Sequence, residues 1–192
     1  MADHSFRVAL FALVASSGGA SSSSSTSTST STSTSTSTST AKPFDASRAV
    51  KIALVHDLAE AIVGDLAPAD NVPKEEKARR EAEAMARMRE MLEGEKSSSS
   101  STSTTTTTVG AEVEALFHEY ERGETPEAQL VKDCDKLEML LQAVEYEREH
   151  RGETPPLDLS EFFDGVRGRL KTEVGRSWGA EIEGRRPRKE KE

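Results

Sequence analysis

Cysteine is almost missing from this chain of 192 residues: Cys134 stands alone, which excludes an internal disulfide and any CxxC-type metal site. A reducing, intracellular setting, cytoplasmic in the simplest case, is therefore expected. Aromatic residues are sparse, at 5% with a single tryptophan. Long apolar runs are lacking too. The longest, Val8–Ala15, falls far short of the roughly 20 residues needed to cross a bilayer, so no membrane contact is expected. That run follows Asp3 and His4 rather than a basic stretch, which makes a poor secretion signal. Positive charge is in deficit, with 25 Lys and Arg against 34 Asp and Glu for a net charge of −9. Such an acidic body argues against nucleic-acid binding, where affinity rests mainly on neutralising phosphates with Lys and Arg. A small phosphorylated substrate held through a metal stays compatible with it.

What is present in excess is serine and threonine. Residues 21–40 and 97–108 are pure Ser/Thr, too polar to offset the entropy of ordering, so 16–40 and 97–108 read as disordered low-complexity insertions in loops. Their β-branched alternation does not make them strands. The remainder is one domain's worth of chain, residues 1–180, followed by a charged tail over 181–192 that reads as a solvated end.

Outside the blocks no period-two pattern occurs, and the class is all-α, a bundle of about five to six helices. Asp3 can cap a first helix that is apolar on most of its surface (Phe6, Val8, Leu10, Leu13) and so expected to be buried. A second runs from about Ser47 to Gly64 through Val50, Leu54, Leu58 and Ala61. Pro73 opens a third, Lys74 to about Glu93, with an apolar stripe of Ala78, Ala82, Met85, Met88 and Leu92. The fourth spans Val109–Glu121. The fifth starts after Thr125 and continues to about His150, with Leu130, Cys134, Leu137, Leu141 and Val144 at helical spacing. The sixth runs from about Leu159 to Trp178.

Chemistry concentrates in Leu54-Val55-His56-Asp57-Leu58-Ala59-Glu60-Ala61-Ile62-Val63-Gly64-Asp65. In an otherwise apolar helix, Glu60 lies four residues from His56 and three from Asp57, so all three can project to one side. Burying them is costly unless they are satisfied, and a divalent cation would do so, since imidazole and carboxylate together suit Mn, Fe, Co, Zn or Mg. The plain alternative is a surface strip with a His–Glu contact. His118 beside Phe117 reads as a packed or surface histidine, His150 near a helix end as a contact with the helix dipole, and Cys134 as a core residue rather than a nucleophile.

The string from His56 to Asp70, followed by Lys74-Glu75-Glu76-Lys77, resembles the HD domain-containing protein 2 family, 5′-deoxynucleotidases of the HD-domain phosphohydrolase superfamily. The resemblance extends upstream to Ala2-Asp3-His4-Ser5-Phe6-Arg7-Val8-Ala9 and downstream to Leu130-Val131-Lys132-Asp133-Cys134-Asp135-Lys136-Leu137-Glu138-Met139. It implies an HD-domain helical bundle. It also implies that His4, His56, Asp57 and Asp135, from three helices, hold a divalent ion (Mn, Co or Mg) with positions left for water and a substrate phosphate. Glu60 and Asp65 would serve in catalysis or hold a second ion, with the Leu66 carbonyl as a further oxygen ligand. The implied reaction hydrolyses a deoxyribonucleoside 5′-monophosphate to the nucleoside and phosphate, in a homodimer.

The family carries some 30 or more residues ahead of the position matching His4, including an Arg and a Trp that bound the nucleotide pocket. This sequence has no counterpart of that segment, so its substrate-binding residues are unassigned. Two rival readings follow: a catalytically impaired helical protein that associates through its exposed apolar surface, and an HD hydrolase acting on another nucleotide, such as a triphosphate or a cyclic dinucleotide.

Overall fold

The computed structural model describes residues 2–18, 44–66, 70–94, 108–153, 155 and 157–187. Among them eight helical segments follow in order: α1 (Ala2–Gly18), α2 (Ala46–Val55), α3 (Glu60–Val63), α4 (Lys74–Glu93), α5 (Val109–Arg122), α6 (Pro126–Glu149), α7 (Ser160–Val166) and α8 (Glu173–Gly184). No strand occurs among the described residues. The all-α expectation holds, and the two helices beyond the expected six arise because two predicted helices each break once.

Helix starts are written in local chemistry. Asp45, Thr108, Thr125 and Thr172 precede α2, α5, α6 and α8, and each side chain accepts a hydrogen bond from the backbone N–H three residues on. A cap of this kind is worth about 1 kcal/mol. Pro126 at the first helical position of α6 gives up an N–H that would have had no partner. Helix α3 stops at Gly64, whose φ of +82° is open to glycine without penalty.

The longest helix, α6, is the central element. Its first half packs with α1, α2 and α5 around Val8, Ala12, Ala49, Ile52, Ala53, Leu116, Val131 and Cys134. Its second half packs with α7 and α8 around Leu137, Leu140, Val144, Phe163, Val166 and Ile182. A smaller cluster of Ala59, Ala84, Met85 and Phe117 joins α4 and α5 to the turn after α2. Fully burying a side chain such as Ile52 or Met85 contributes about 1.5–3 kcal/mol.

Several expectations need correction. The predicted second helix does not run unbroken to Gly64. Past Val55 the chain tightens to i→i+3 hydrogen bonds, Leu58 N to Val55 O at 3.0 Å and Glu60 N to Asp57 O at 3.0 Å, before α3 begins. The predicted sixth helix breaks after Val166, where Gly168 takes φ +75° and Thr172 caps a new helix. Of the apolar residues of α1, Val8, Ala9 and Ala12 are buried, whereas Phe6, Leu10, Leu13 and Val14 are exposed, because α2 and α6 cover only one side. In α4 the inward line is Ala84, Met85 and Met88; Ala78, Ala82 and Leu92 are exposed. Alanine suits either face, so the alanine-rich sequence left the stripe's direction open.

The expected insertions over 16–40 and 97–108 lie outside the described residues except at their edges. Ser16 and Ser17 belong to α1, their hydroxyls donating back to Ala12 O and Leu13 O, and Thr108 is the cap of α5. The segment read as a tail is also engaged. Helix α8 runs to Gly184, and Arg186 donates to buried Glu147 at 2.6 and 2.9 Å while stacking on Phe163 at 4.2 Å.

That pair predicts a pH dependence. The Arg186 hydrogen bonds hold the Glu147 carboxyl below its ordinary value of 4.5, against the effect of burial. A carboxylate with a depressed folded-state pKa stabilises fully above its unfolded value, and this contribution disappears as pH falls from about 4.5 through the folded value. Glu147→Gln is therefore expected to cost about 1.5–3 kcal/mol at pH 7, the scale of a charged hydrogen bond, and to flatten the acid limb. Thermal midpoints measured from pH 3 to 7 check it; parallel curves for the two proteins would refute it.

Candidate metal centre

The break after α2 positions the site. His56 is the C-cap residue of α2, and its Nδ1 lies 2.8 Å from Ala53 O. A carbonyl only accepts, so the proton belongs on Nδ1 and Nε2 faces inward. This buried Nε2 has no hydrogen-bond partner among the described residues, although Asp57 Oδ2 is 3.2 Å away. An inward lone pair beside a carboxylate is unfavourable for both groups unless a cation lies between them.

His4, on the first turn of α1, enters from one side. Its Nε2 lies 3.4 Å from Asp57 Oδ2 and 3.3 Å from Asp135 Oδ1, and its Nδ1 is 2.6 Å from Glu138 Oε2. Asp135, on α6, accepts from the Tyr120 hydroxyl at 2.9 Å through its other oxygen. Ligand atoms of His4, His56 and Asp135 all lie within 4.8 Å of one another. The structure thus brings together the four residues His4, His56, Asp57 and Asp135 from α1, α6 and the end of α2, and these nitrogen and oxygen donors suit a divalent ion.

The electrostatics fit the same ion. The ion pair with Asp135, helped by Glu138 and opposed by burial, raises His4 from 6.5 to about 9. Burial and the charge of Asp135 raise Asp57 above its usual range, although His56 and His4 oppose this. Burial would also raise Asp135, but His4, His56 and the Tyr120 hydroxyl outweigh it and hold that carboxyl low. His4 therefore carries the positive charge that this acidic cluster demands, and a divalent ion would take over that role as the imidazole loses its proton.

The cluster forms the floor of an open cavity of about 900 Å³, which Glu60 and Asp65 also line. Burial and the charges of Asp57 and Asp65 push Glu60 up to about 7. Asp65 is exposed. Leu66 stands apart from these two: its carbonyl accepts from Lys77 Nζ at 3.4 Å. Lys74, Lys77 and Lys132 bring positive charge to the cavity walls.

Sequence reasoning passed over Tyr120, Lys77, Glu81, Lys132 and Glu138, which all line this cavity. Tyr120 reads as one more apolar residue of its helix, and Lys77 and Glu81 as charges on a solvated face. Glu138 left a signal as an acid beside Leu137 one turn after Asp135, and Lys77 and Lys132 stood within the stretches that resemble the family. His118, against Phe117, and His150, at the end of α6, are not among the residues of the site. Burial pushes the Cys134 thiol up to about 12, which leaves it inert.

A family model described as "HD domain" matches residues 28–178, a span that includes His56, Asp57, Glu60, Asp65 and Asp135. The chain belongs to the HD-domain family. Among curated relatives, 5′-deoxynucleotidase HDDC2 of Dictyostelium discoideum is 39% identical over 142 residues, covering 74% of this chain and 68% of the relative. The 5′-deoxynucleotidase hdd1 of Schizosaccharomyces pombe is 47% identical over 115 residues, 60% of this chain and 52% of its own length. Human 5′-deoxynucleotidase HDDC2 is 44% identical over 124 residues, 64% and 52% respectively. This HD-domain chain thus spans about half the length of the last two. Among solved structures, a conserved hypothetical protein from Pyrococcus furiosus superposes with a TM-score of 0.58 at 30% identity, covering 96% of this chain and 81% of that one. A Pyrococcus horikoshii protein superposes at 0.59 and 27% identity, covering 96% and 80%. No described helix is long and apolar enough to cross a membrane.

Proposed function

We propose that this protein is a metal-dependent 5′-deoxynucleotidase, converting a deoxyribonucleoside 5′-monophosphate to the nucleoside and phosphate. The observation that carries the reading is the buried His56 Nε2, without a hydrogen-bond partner among the described residues and facing His4, Asp57 and Asp135, in a chain similar to proteins named for that activity. His4, His56, Asp57 and Asp135 would hold the divalent ion, Mn, Co or Mg. When bound, such an ion supplies a water acidic enough to give hydroxide near neutral pH and offsets charge on the transferring phosphoryl group.

The chain's own residues do the rest. Glu60, raised to about 7, is poised to give or take a proton at neutral pH, the best range for a general acid or base. Asp65, on the same wall, either shares that work or helps hold a second ion. Lys74, Lys77 and Lys132 give a dianionic phosphate a favourable approach to an otherwise acidic cavity. The reading takes residues 1–180, together with the end of α8 and Arg186 that pack on them, as a single domain in an intracellular homodimer, for which the exposed α1 face of Phe6, Leu10, Leu13 and Val14 offers an apolar surface.

Phosphate release from a panel of deoxyribo- and ribonucleoside monophosphates, with Mn, Co and Mg in turn, tests the activity. Release from the deoxy series, with ribonucleotides disfavoured, is expected. Metal-loaded protein that hydrolyses none of the monophosphates would overturn the assignment, and preference for a triphosphate or cyclic dinucleotide would redirect it.

A further inference from the structure

Helix α6 holds both ring nitrogens of His4. Asp135 approaches Nε2 at 3.3 Å, and Glu138, one turn on along the same face, meets Nδ1 at 2.6 Å. The Glu138 side chain is 1% exposed, and burying a carboxylate so completely is costly unless both oxygens are satisfied. They are. Oε2 faces His4 Nδ1 and Oε1 faces Arg7 Nε at 3.0 Å, while Gln142 Nε2 lies 2.7 and 2.8 Å from the two oxygens. Arg7 is one turn along α1 from His4, and its guanidinium reaches out to the more exposed Glu145 at 3.2 Å.

An ionised carboxylate accepts hydrogen bonds and cannot donate one. Facing His4 Nδ1, it keeps the proton on that nitrogen, so that when the imidazole gives up its charge to a bound ion it is Nε2 that presents a lone pair towards Asp57, Asp135 and His56. We infer that Glu138 is a positioning residue for the metal centre: it sets the tautomer and ring orientation of His4, while Arg7 and Gln142 hold the carboxylate in place. The inference rests on the reading of His4, His56, Asp57 and Asp135 as ion ligands. Partners of this kind, which also raise the basicity of the imidazole they hold, typically contribute about 10–100-fold to metal affinity.

Calorimetric titration with Co²⁺ or Mn²⁺ and the visible spectrum of the Co²⁺-loaded protein provide the test. Glu138→Gln puts an amide where both His4 and Arg7 donate, and is expected to weaken binding by about 10–100-fold and to shift the Co²⁺ bands. Glu145→Gln, which loosens Arg7 from the solvent side, should leave affinity and spectrum unchanged. A purely structural Glu138 would lower the melting temperature and leave both readouts as in the wild type, and that result overturns the inference. In case Glu138→Gln does not fold, nitrogen-15 histidine NMR on the Mg²⁺-loaded wild type gives an independent answer. The His4 proton is expected on Nδ1, and a proton on Nε2 overturns the inference. A wild type that takes up none of these ions fails at the level of the ligand set instead, and is thereby distinguished from an error about Glu138.

Discussion

Asp57→Ala is expected to lose bound metal, and Glu60→Ala to keep it while losing turnover by about 10²- to 10⁴-fold, the usual contribution of a positioned acid–base group. The two residues are three apart in sequence, but the break between α2 and α3 gives them different jobs. Asp57 places Oδ2 3.4 Å from His4 Nε2 and 3.2 Å from His56 Nε2. Removing it deletes one donor and a negative charge, and leaves two imidazoles and Asp135 to hold a divalent ion. The loss should exceed the roughly 10–100-fold seen when only an outer partner of a ligand is changed. Glu60 lies further along the cavity wall, half-buried, with Lys77 among its charged neighbours. Its removal leaves the four converging donors in place. Elemental analysis after dialysis, paired with phosphate-release rates, separates the defects. An Asp57→Ala protein that retains stoichiometric metal, or a Glu60→Ala protein that turns over at the wild-type rate, would break the assignment of roles.

The largest stability effect is expected at Gly175, where α8 starts against α6. Asp133 is almost wholly buried and accepts from Lys171 N, Thr172 N and the Thr172 hydroxyl, with distances down to 2.7 Å. Those bonds fix both the carboxylate and the Thr172 cap directly over Gly175. A Cβ there would overlap Asp133 Oδ2 and lie 2.8 Å from Thr172 Oγ1. Alanine in a helix normally gains up to about 1 kcal/mol over glycine. Here the neighbour that would have to yield is a carboxylate tied by several bonds, so steric cost and lost hydrogen bonds, about 1–3 kcal/mol each, outweigh that gain. Gly175→Ala should destabilise by about 2–4 kcal/mol, whereas Gly165→Ala in α7, with nothing near its added Cβ, should be neutral or slightly stabilising. Urea denaturation of both variants decides it. Equal effects would mean that Asp133 yields freely and does not clamp the start of α8.

Asp133 also shows where legibility stopped. Its neighbour Asp135 was picked out by resemblance to a family motif, and both are acids on α6. One turned towards the His4 and His56 rings and the other towards the N-terminus of α8. Positions two apart on a helix are separated by about 200° and point to nearly opposite sides, and which neighbours lie there depends on helices some 130 residues away in one direction and 40 in the other. The same holds for Glu138, whose partners His4 and Arg7 are distant in sequence.

The sequence by itself determined the helical class, the starts of α2, α4, α5 and α6, the stop at Gly64 and the grouping of His56, Asp57 and Glu60 within one short stretch, whereas His4 and Asp135 stood out only through the family resemblance. All but those last two follow from short-range rules: apolar spacing, capping side chains, glycine and proline, and the donor chemistry of His and Asp. Tertiary structure alone decided where the second and sixth predicted helices break, which side of α1 is covered, and which way α4 faces. It alone left His56 Nε2 buried without a hydrogen-bond partner among the described residues and set Glu138 behind His4. The physical reason is that burial and pairing are properties of two surfaces brought together, and a residue's own helix specifies only one of them.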